Sequence, residues 1–113
     1  MKELTNRLIK FRDQRDWAQF HTLKDLAISI AIEAGELLEE FQWKDLKAQR
    51  EHIEGPGKKR VASEVADIMI YLLLFCHEAG IDLLKAVKEK IEEHERKYPV
   101  EKAKGTAKKY TEL

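Results

Sequence analysis

The chain has 113 residues, which suits a single domain with a modest core. It carries 21 basic and 21 acidic residues, and this balance argues against a protein that coats nucleic acid. The single cysteine, Cys76, excludes an internal disulfide and a cysteine-based metal site, and its apolar neighbours predict a buried thiol. Since Met1 leads directly into mixed charges and no window is apolar enough to span a bilayer, we expect a cytoplasmic protein with no signal peptide and no membrane partner.

Apolar residues at helical spacing predict an all-α chain, because no segment shows the alternation that is typical of a strand. The first helix is predicted over about residues 2–15, and a short aromatic connector follows it. Thr22 is a suitable N-cap for a second helix, which we expect to end near Phe41. In the polar segment that follows, Asp45 can cap a short helix that runs through Ile53.

The next long helix is predicted over about residues 58–79 and is apolar on every side between residues 65 and 76, except at Asp67. A helix of this kind is buried on all sides. In a chain of this size, it is therefore either central to the fold or packed against a second subunit. Gly80 is placed to end this helix as its C′ residue.

A last long helix is predicted between Asp82, which is its N-cap, and Pro99. We therefore expect a helical domain over residues 1–99 and a basic, polar tail over residues 100–113. Such a tail would be disordered by itself, so any order in it must come from docking.

Two pairs of acidic residues are the main chemical signal. Glu33 and Glu36 are three residues apart in one predicted helix, and Glu64 and Asp67 have the same spacing in another, so each pair projects from one helix face. If the two helices pack antiparallel, the pairs can face each other. Carboxylates among apolar residues must be protonated, paired or bound to a cation, and four of them together suit Mg²⁺. Spacing alone is more often typical of a solvated face, but the apolar neighbours of Asp67 favour the metal site.

The sequence around these acids resembles the MazG-like all-α nucleotide pyrophosphohydrolases, and most closely their dCTP pyrophosphatase branch. The resemblance is weakest between Asp45 and Lys59, and it rests on residues 15–21, 33–37, 41–44, 64–72 and 97–113. It implies a helical bundle of four main helices, with a long antiparallel hairpin that carries the acid pairs. It also implies that a homodimer or a dimer-of-dimers tetramer completes the fold.

The resemblance further implies a reaction. A nucleoside triphosphate, dCTP or a modified dCTP, would react with water to give the monophosphate and pyrophosphate, which would clean the nucleotide pool. Mg²⁺, with Mn²⁺ as a substitute, would be bound by the catalytic carboxylates of Glu33, Glu36, Glu64 and Asp67. The sequence does not choose between Glu33 and Glu36 as the general base.

Substrate-binding roles carry over from the family to six residues. The phosphate-contacting positions fall on Lys90 and on His94, where family members usually have asparagine, and the charge of His94 would depend on pH near neutrality. The base-holding positions fall on Trp17, His21, Trp43 and Tyr71. For the two tryptophans, packing in the core or in an interface is the alternative role.

Two other functions are compatible with the residues. A helical oligomer could bind or sense nucleotides without turnover, in which case Glu36→Gln would leave the nucleotide affinity nearly unchanged. A carboxylate-bridged redox metal bundle is disfavoured, because such sites usually use Glu-x-x-His motifs and this chain has none.

Overall fold

The computed structural model describes all residues from Met1 to Leu113 and contains no strand, which confirms the all-α prediction. Short 3₁₀ segments cover Ala18–Phe20 and Tyr110–Glu112. None of the helices combines the length and the hydropathy that a membrane span requires. The six α-helices are α1 (Lys2–Gln14), α2 (Leu23–Glu39), α3 (Leu46–Glu54), α4 (Lys58–Ala79), α5 (Leu83–Lys97) and α6 (Val100–Ala103).

The chain forms two compact units. Met1–Gly80 contains α1 to α4, and Ile81–Leu113 contains α5 and α6. The division into a domain and a tail at residue 99 remains a prediction.

Three helices begin at their predicted capping residues, and α4 ends at the predicted glycine. The hydroxyl of Thr22 and the carboxylates of Asp45 and Asp82 each accept a hydrogen bond from the backbone N–H three residues later, at 2.9 to 3.1 Å. These bonds satisfy backbone donors that have no partner within the helix. Gly80 ends α4 with a φ of 68°, a left-handed conformation that glycine adopts without steric cost.

The end of α2 differs from the prediction. The helix stops at Glu39 rather than at Phe41. The N–H groups of Phe41 and Gln42 both donate to the carbonyl oxygen of Leu38 at 3.0 Å, so the last turn departs from regular α-helical bonding. Trp43 then adopts a φ of 65°, which no helix interior allows for an L-residue, so the chain turns away from the helix axis.

A helical hairpin of α2 and α4 dominates the first unit, and α1 packs on α4 as well. The two hairpin helices are antiparallel, because Glu33 faces Asp67 while Glu40, later in the chain, reaches Arg60. The burial of the thiol is confirmed. The buried apolar side chains of this unit are Leu26, Val61, Leu73, Leu74 and Cys76.

A single chain does not bury α4 on every side. Leu73 and Leu74 are buried, but Val65 is 51% exposed. A largely apolar cavity of about 380 Å³ also opens between α1 and α4, with Phe11 and Met69 among its lining residues. Within the first unit α4 nevertheless contacts α1, α2 and α3, as a central helix does, so neither of the two predicted arrangements is excluded. The homo-oligomer itself remains a prediction.

The tail is ordered by contacts with the end of α5. The ring of Tyr110 lies edge-to-face with that of Tyr98, with centroids 6.2 Å apart. The amine of Lys97 lies 4.6 Å from the centroid of the Tyr110 ring, at a distance typical of a cation–π contact. Docking therefore supplies the order, as expected for a polar tail.

Candidate active site

Carboxylates from α2 and α4 converge where the two helices face each other. One oxygen from each of Glu33, Glu64 and Asp67 lies within 4.8 Å of the other two, and all three residues are half-buried. Glu36 is more exposed, but its carboxyl is within hydrogen-bonding reach of Glu33 and Glu64. The structure thus brings together all four predicted acids, which we call the acid cluster.

The acid cluster retains protons near neutral pH. Hydrogen bonding to Glu36, desolvation and the neighbouring negative charges raise the pKa of Glu64 to about 7. The pKa of Glu33 is also raised, first by desolvation and then by its hydrogen bond and repulsion with Glu36. Carboxylates that share one site cannot all ionise without a compensating positive charge.

Two oxygen atoms of the cluster have no partner. Glu33 Oε2 and Glu64 Oε2 are both buried and accept no hydrogen bond. Buried polar atoms are seldom left in this state, and a hard divalent cation would satisfy them. An all-oxygen set of ligands is the kind that Mg²⁺ and Mn²⁺ prefer. The residues present therefore fit a divalent cation of this class.

An aromatic cavity lies close to the acid cluster. Tyr71, one helical turn after Asp67, lines a cavity of about 250 Å³ together with Trp17 and His21. Trp17 is held there by an edge-to-face contact with Phe11, with ring centroids 5.7 Å apart. His21 Nδ1 is buried without a hydrogen-bond partner, so it is free to bond to a bound molecule. Three of the four predicted base-holding residues thus line the same cavity.

The other predicted substrate-binding residues have different surroundings. Trp43 does not line the aromatic cavity, and its side chain is 93% exposed. Lys90 and His94 belong to α5 in the second unit. There, Lys90 Nζ donates to Glu93 Oε2 at 3.0 Å, and the ring centroid of His94 lies 6.1 Å from that of Tyr98. The roles of these three residues remain predictions.

Arg12, which the sequence does not indicate as a site residue, has a buried side chain and also lines the aromatic cavity. Its Nη1 donates to Glu78 Oε1 at 2.6 Å, and Nη2 lies 3.0 Å from Asp13 Oδ1. Its carbonyl oxygen accepts the N–H of Trp17 at 3.1 Å, so Arg12 anchors the aromatic connector. No sequence signal points to this role, because the partner Glu78 is 66 residues away and an arginine on an amphipathic helix is normally a surface residue.

Comparison with known proteins agrees with this geometry. The sequence model of the MazG-like family matches residues 28–113. The proteins called dCTP pyrophosphatase 1 are 38% identical over 106 residues in Mus musculus and 35% identical over 105 residues in Homo sapiens. Each alignment covers 92% of this chain, which spans only 62% of the length of these curated relatives.

A solved structure is similar over most of both chains. The crystal structure of a pyrophosphatase from Archaeoglobus fulgidus is 49% identical to this chain and superimposes with a TM-score of 0.83. The match covers 88% of this chain and 92% of that one. Together with the all-helical fold, these similarities show that the chain belongs to the MazG-like family.

Proposed function

We propose that this protein is a Mg²⁺-dependent nucleotide pyrophosphohydrolase, which converts dCTP or a modified dCTP to the monophosphate and pyrophosphate. The observation that carries this proposal is the position of the aromatic cavity, one helical turn along α4 from the acid cluster. A ligand with a polyanionic end and a flat aromatic end suits that arrangement. The names of the relatives, dCTP pyrophosphatase 1 and pyrophosphatase, support the same reaction class.

The acid cluster is the proposed metal site. Glu33, Glu36, Glu64 and Asp67 would hold Mg²⁺, and we expect Mn²⁺ to substitute for it. When bound, the cation neutralises the phosphate charge and makes water a better nucleophile. This neutralisation is necessary, because four carboxylates would otherwise repel a triphosphate.

The residues of the chain would position the water and accept its proton. The water oxygen forms a bond to the α-phosphorus, and the bond from that phosphorus to the bridging oxygen breaks to release pyrophosphate. Glu33 and Glu36 are both candidates to take the proton of the water at a carboxylate oxygen. Glu36 is the more exposed of the two, so an incoming water reaches it more easily.

The aromatic cavity is the proposed base site. Stacking of a base on a ring such as Tyr71 or Trp17 contributes about 1–3 kcal/mol, and His21 Nδ1 can form a hydrogen bond with the base edge. A volume of about 250 Å³ is large enough to hold a single nucleobase. The fourth residue proposed for the base, Trp43, needs a covering surface, because it is almost fully exposed in one chain.

Other parts of the proposal concern the phosphates and the assembly. Lys90 and His94 would contact the triphosphate, and Lys90 must then exchange its present bond to Glu93 for one to phosphate. A homodimer, or a dimer of dimers, would cover the exposed apolar surface of α1 and α4, including Phe11 and Val65.

A substrate panel tests the proposed function. The protein is incubated with Mg²⁺ and each of the four deoxynucleoside triphosphates, and pyrophosphate is measured. We expect the fastest release from dCTP, loss of release in Asp67→Asn, and little change in the control Glu51→Gln, an exposed acid on α3. Folded protein that releases no pyrophosphate from any of them would contradict the proposal. Nucleotide binding without turnover would instead support a non-catalytic nucleotide-binding oligomer.

A further inference from the structure

One oxygen of Glu40 connects three segments of the first unit. Glu40 Oε1 accepts a hydrogen bond from His52 Nε2 at 3.0 Å and another from Arg60 Nε at 3.3 Å. Glu40 directly follows α2, His52 belongs to α3, and Arg60 lies in the first turn of α4. We call these three side chains the clasp.

The clasp is shielded from solvent on its histidine side. The side chains of Glu40 and His52 are 19% and 10% exposed, whereas that of Arg60 is 62% exposed. The His52 ring lies edge-to-face with Phe41, with centroids 5.8 Å apart. A Cβ atom at Gly57 would overlap the His52 ring, so the ring fits only because residue 57 is glycine. The ring therefore has a fixed position from which it holds Glu40.

The clasp lies one helical turn from the acid cluster on both helices. Glu40 is four residues after Glu36, and Arg60 is four residues before Glu64. Residues four apart on a helix are neighbours on the same face. The end of α2 beyond Glu36 is only partly packed, because Leu37 is half-buried whereas Leu38 is 73% exposed. The clasp is thus the polar connection next to the opposing carboxylates at this end of the hairpin.

We propose that the clasp is a positioning device, which holds α2 and α4 at the separation at which Glu36 and Glu64 bind the same divalent cation. The inference rests on the proposed function only in taking the acid cluster as the cation site. Glu40 is not a ligand in this proposal but a partner of His52 and Arg60, which both donate to its Oε1. A ligand held in place before the cation arrives binds more tightly, because no ordering cost remains.

Substitution of Arg60 distinguishes a positioning role of the clasp from a purely electrostatic effect on cation binding. Arg60→Gln removes a positive charge near four carboxylates, so a purely Coulombic effect would strengthen cation binding. Loss of positioning would weaken it instead. Gly57→Ala gives a second route to the same loss, because the new methyl group displaces His52 without changing any charge, and the φ of −84° at residue 57 accepts alanine.

The test measures the Kd of Mn²⁺ for the metal-free, full-length protein by electron paramagnetic resonance. We expect Arg60→Gln and Gly57→Ala each to weaken binding by about three- to tenfold, somewhat less than the 10- to 100-fold that direct partners of metal ligands typically contribute. Arg60→Lys should recover part of the affinity. Arg50→Gln is the matched control, because Arg50 pairs only with Glu54 on its own helix, and it should leave the Kd unchanged.

Equal or tighter Mn²⁺ binding by either clasp variant would overturn the inference. A lower unfolding midpoint with an unchanged Kd would overturn it as well, because a merely structural contact predicts that result. Pyrophosphate release by the unmodified protein decides the proposed function separately. A protein whose Mn²⁺ affinity depends on the clasp but which hydrolyses nothing fails only the proposed function. A hydrolase whose Kd for Mn²⁺ is insensitive to Arg60 and Gly57 fails only the clasp.

Discussion

Binding of Mg²⁺ should release protons from the acid cluster, and the raised pKa of Glu64 sets their number. With a pKa of about 7, about half of the Glu64 carboxyls carry a proton at pH 7, roughly nine in ten at pH 6 and one in ten at pH 8. A cation binds the ionised carboxylate, so these protons leave when it binds. The pKa of Glu33 is shifted in the same direction, first by desolvation.

The raised pKa of Glu64 also determines how the free energy of unfolding depends on pH. The pKa of Glu64 is about 7 in the folded, metal-free protein, above the ordinary value of 4.5. The stability that this shift contributes is therefore complete below about pH 4.5 and is lost as the pH rises through about 7. We expect the metal-free protein to lose this contribution between about pH 4.5 and 7. Over the same range, saturating Mg²⁺ should become more stabilising, because the cation binds the ionised form.

Isothermal titration calorimetry measures the released protons directly. Mg²⁺ is titrated into the protein at pH 6, 7 and 8, each in two buffers with different ionisation enthalpies, and the difference in heat gives the proton number. Glu64→Gln, which has no carboxyl to titrate, should bind more weakly and lose most of the release at pH 7. Binding whose heat is independent of the buffer at pH 6 and 7 would refute the coupling that we describe in the acid cluster.

Three substitutions give further expected outcomes. Tyr71→Ala should weaken dCTP binding about 5- to 150-fold, as expected for the loss of a stacking surface worth about 1–3 kcal/mol, while the Mn²⁺ Kd stays within twofold; an unchanged nucleotide affinity would exclude Tyr71 from the base site. Glu78→Gln leaves buried Arg12 with only Asp13 as an ionic partner and should lower the free energy of unfolding by about 1–3 kcal/mol in urea titrations; no measurable change would show that the pair is not stabilising. Leu26→Ala, at a side chain only 1% exposed, should cost about 2–5 kcal/mol, and a much smaller loss would mean that the site collapses around the smaller side chain.

Local signals explain why the helices could be predicted. Thr22, Asp45 and Asp82 cap helices through bonds that span three residues, and Gly80 ends α4 through its own backbone conformation. These features depend only on short stretches of sequence. The acid pairs were also accessible, because helical spacing places residues three apart on one face and the antiparallel hairpin brings the two faces together.

Contacts between residues that are far apart in the sequence could not be predicted in the same way. Arg12 and Glu78 look like ordinary surface charges until the fold buries the arginine between α1 and α4. Glu40 has no local sequence feature that indicates its partners, yet it accepts hydrogen bonds from His52 and Arg60. Partners that lie on different helices follow from three-dimensional packing, and helical periodicity contains no information about them.

The surroundings of Trp43 could not be predicted from the sequence for a different reason. A family resemblance assigned it to the base, but its backbone turns with a positive φ and leaves the indole almost fully exposed in one chain. A large aromatic side chain in that position is typical of a surface that another molecule covers. Its role depends on an assembly that the sequence pattern does not describe.

The most direct test of the central claim is the identity of the products. Phosphorus NMR follows dCTP and Mg²⁺ with the unmodified protein and with Asp67→Asn. The proposed function predicts that dCMP and pyrophosphate appear in equal amounts with the unmodified protein, and that neither forms with the variant. Formation of dCDP and orthophosphate, or no product at all from folded protein that binds Mg²⁺, would contradict it.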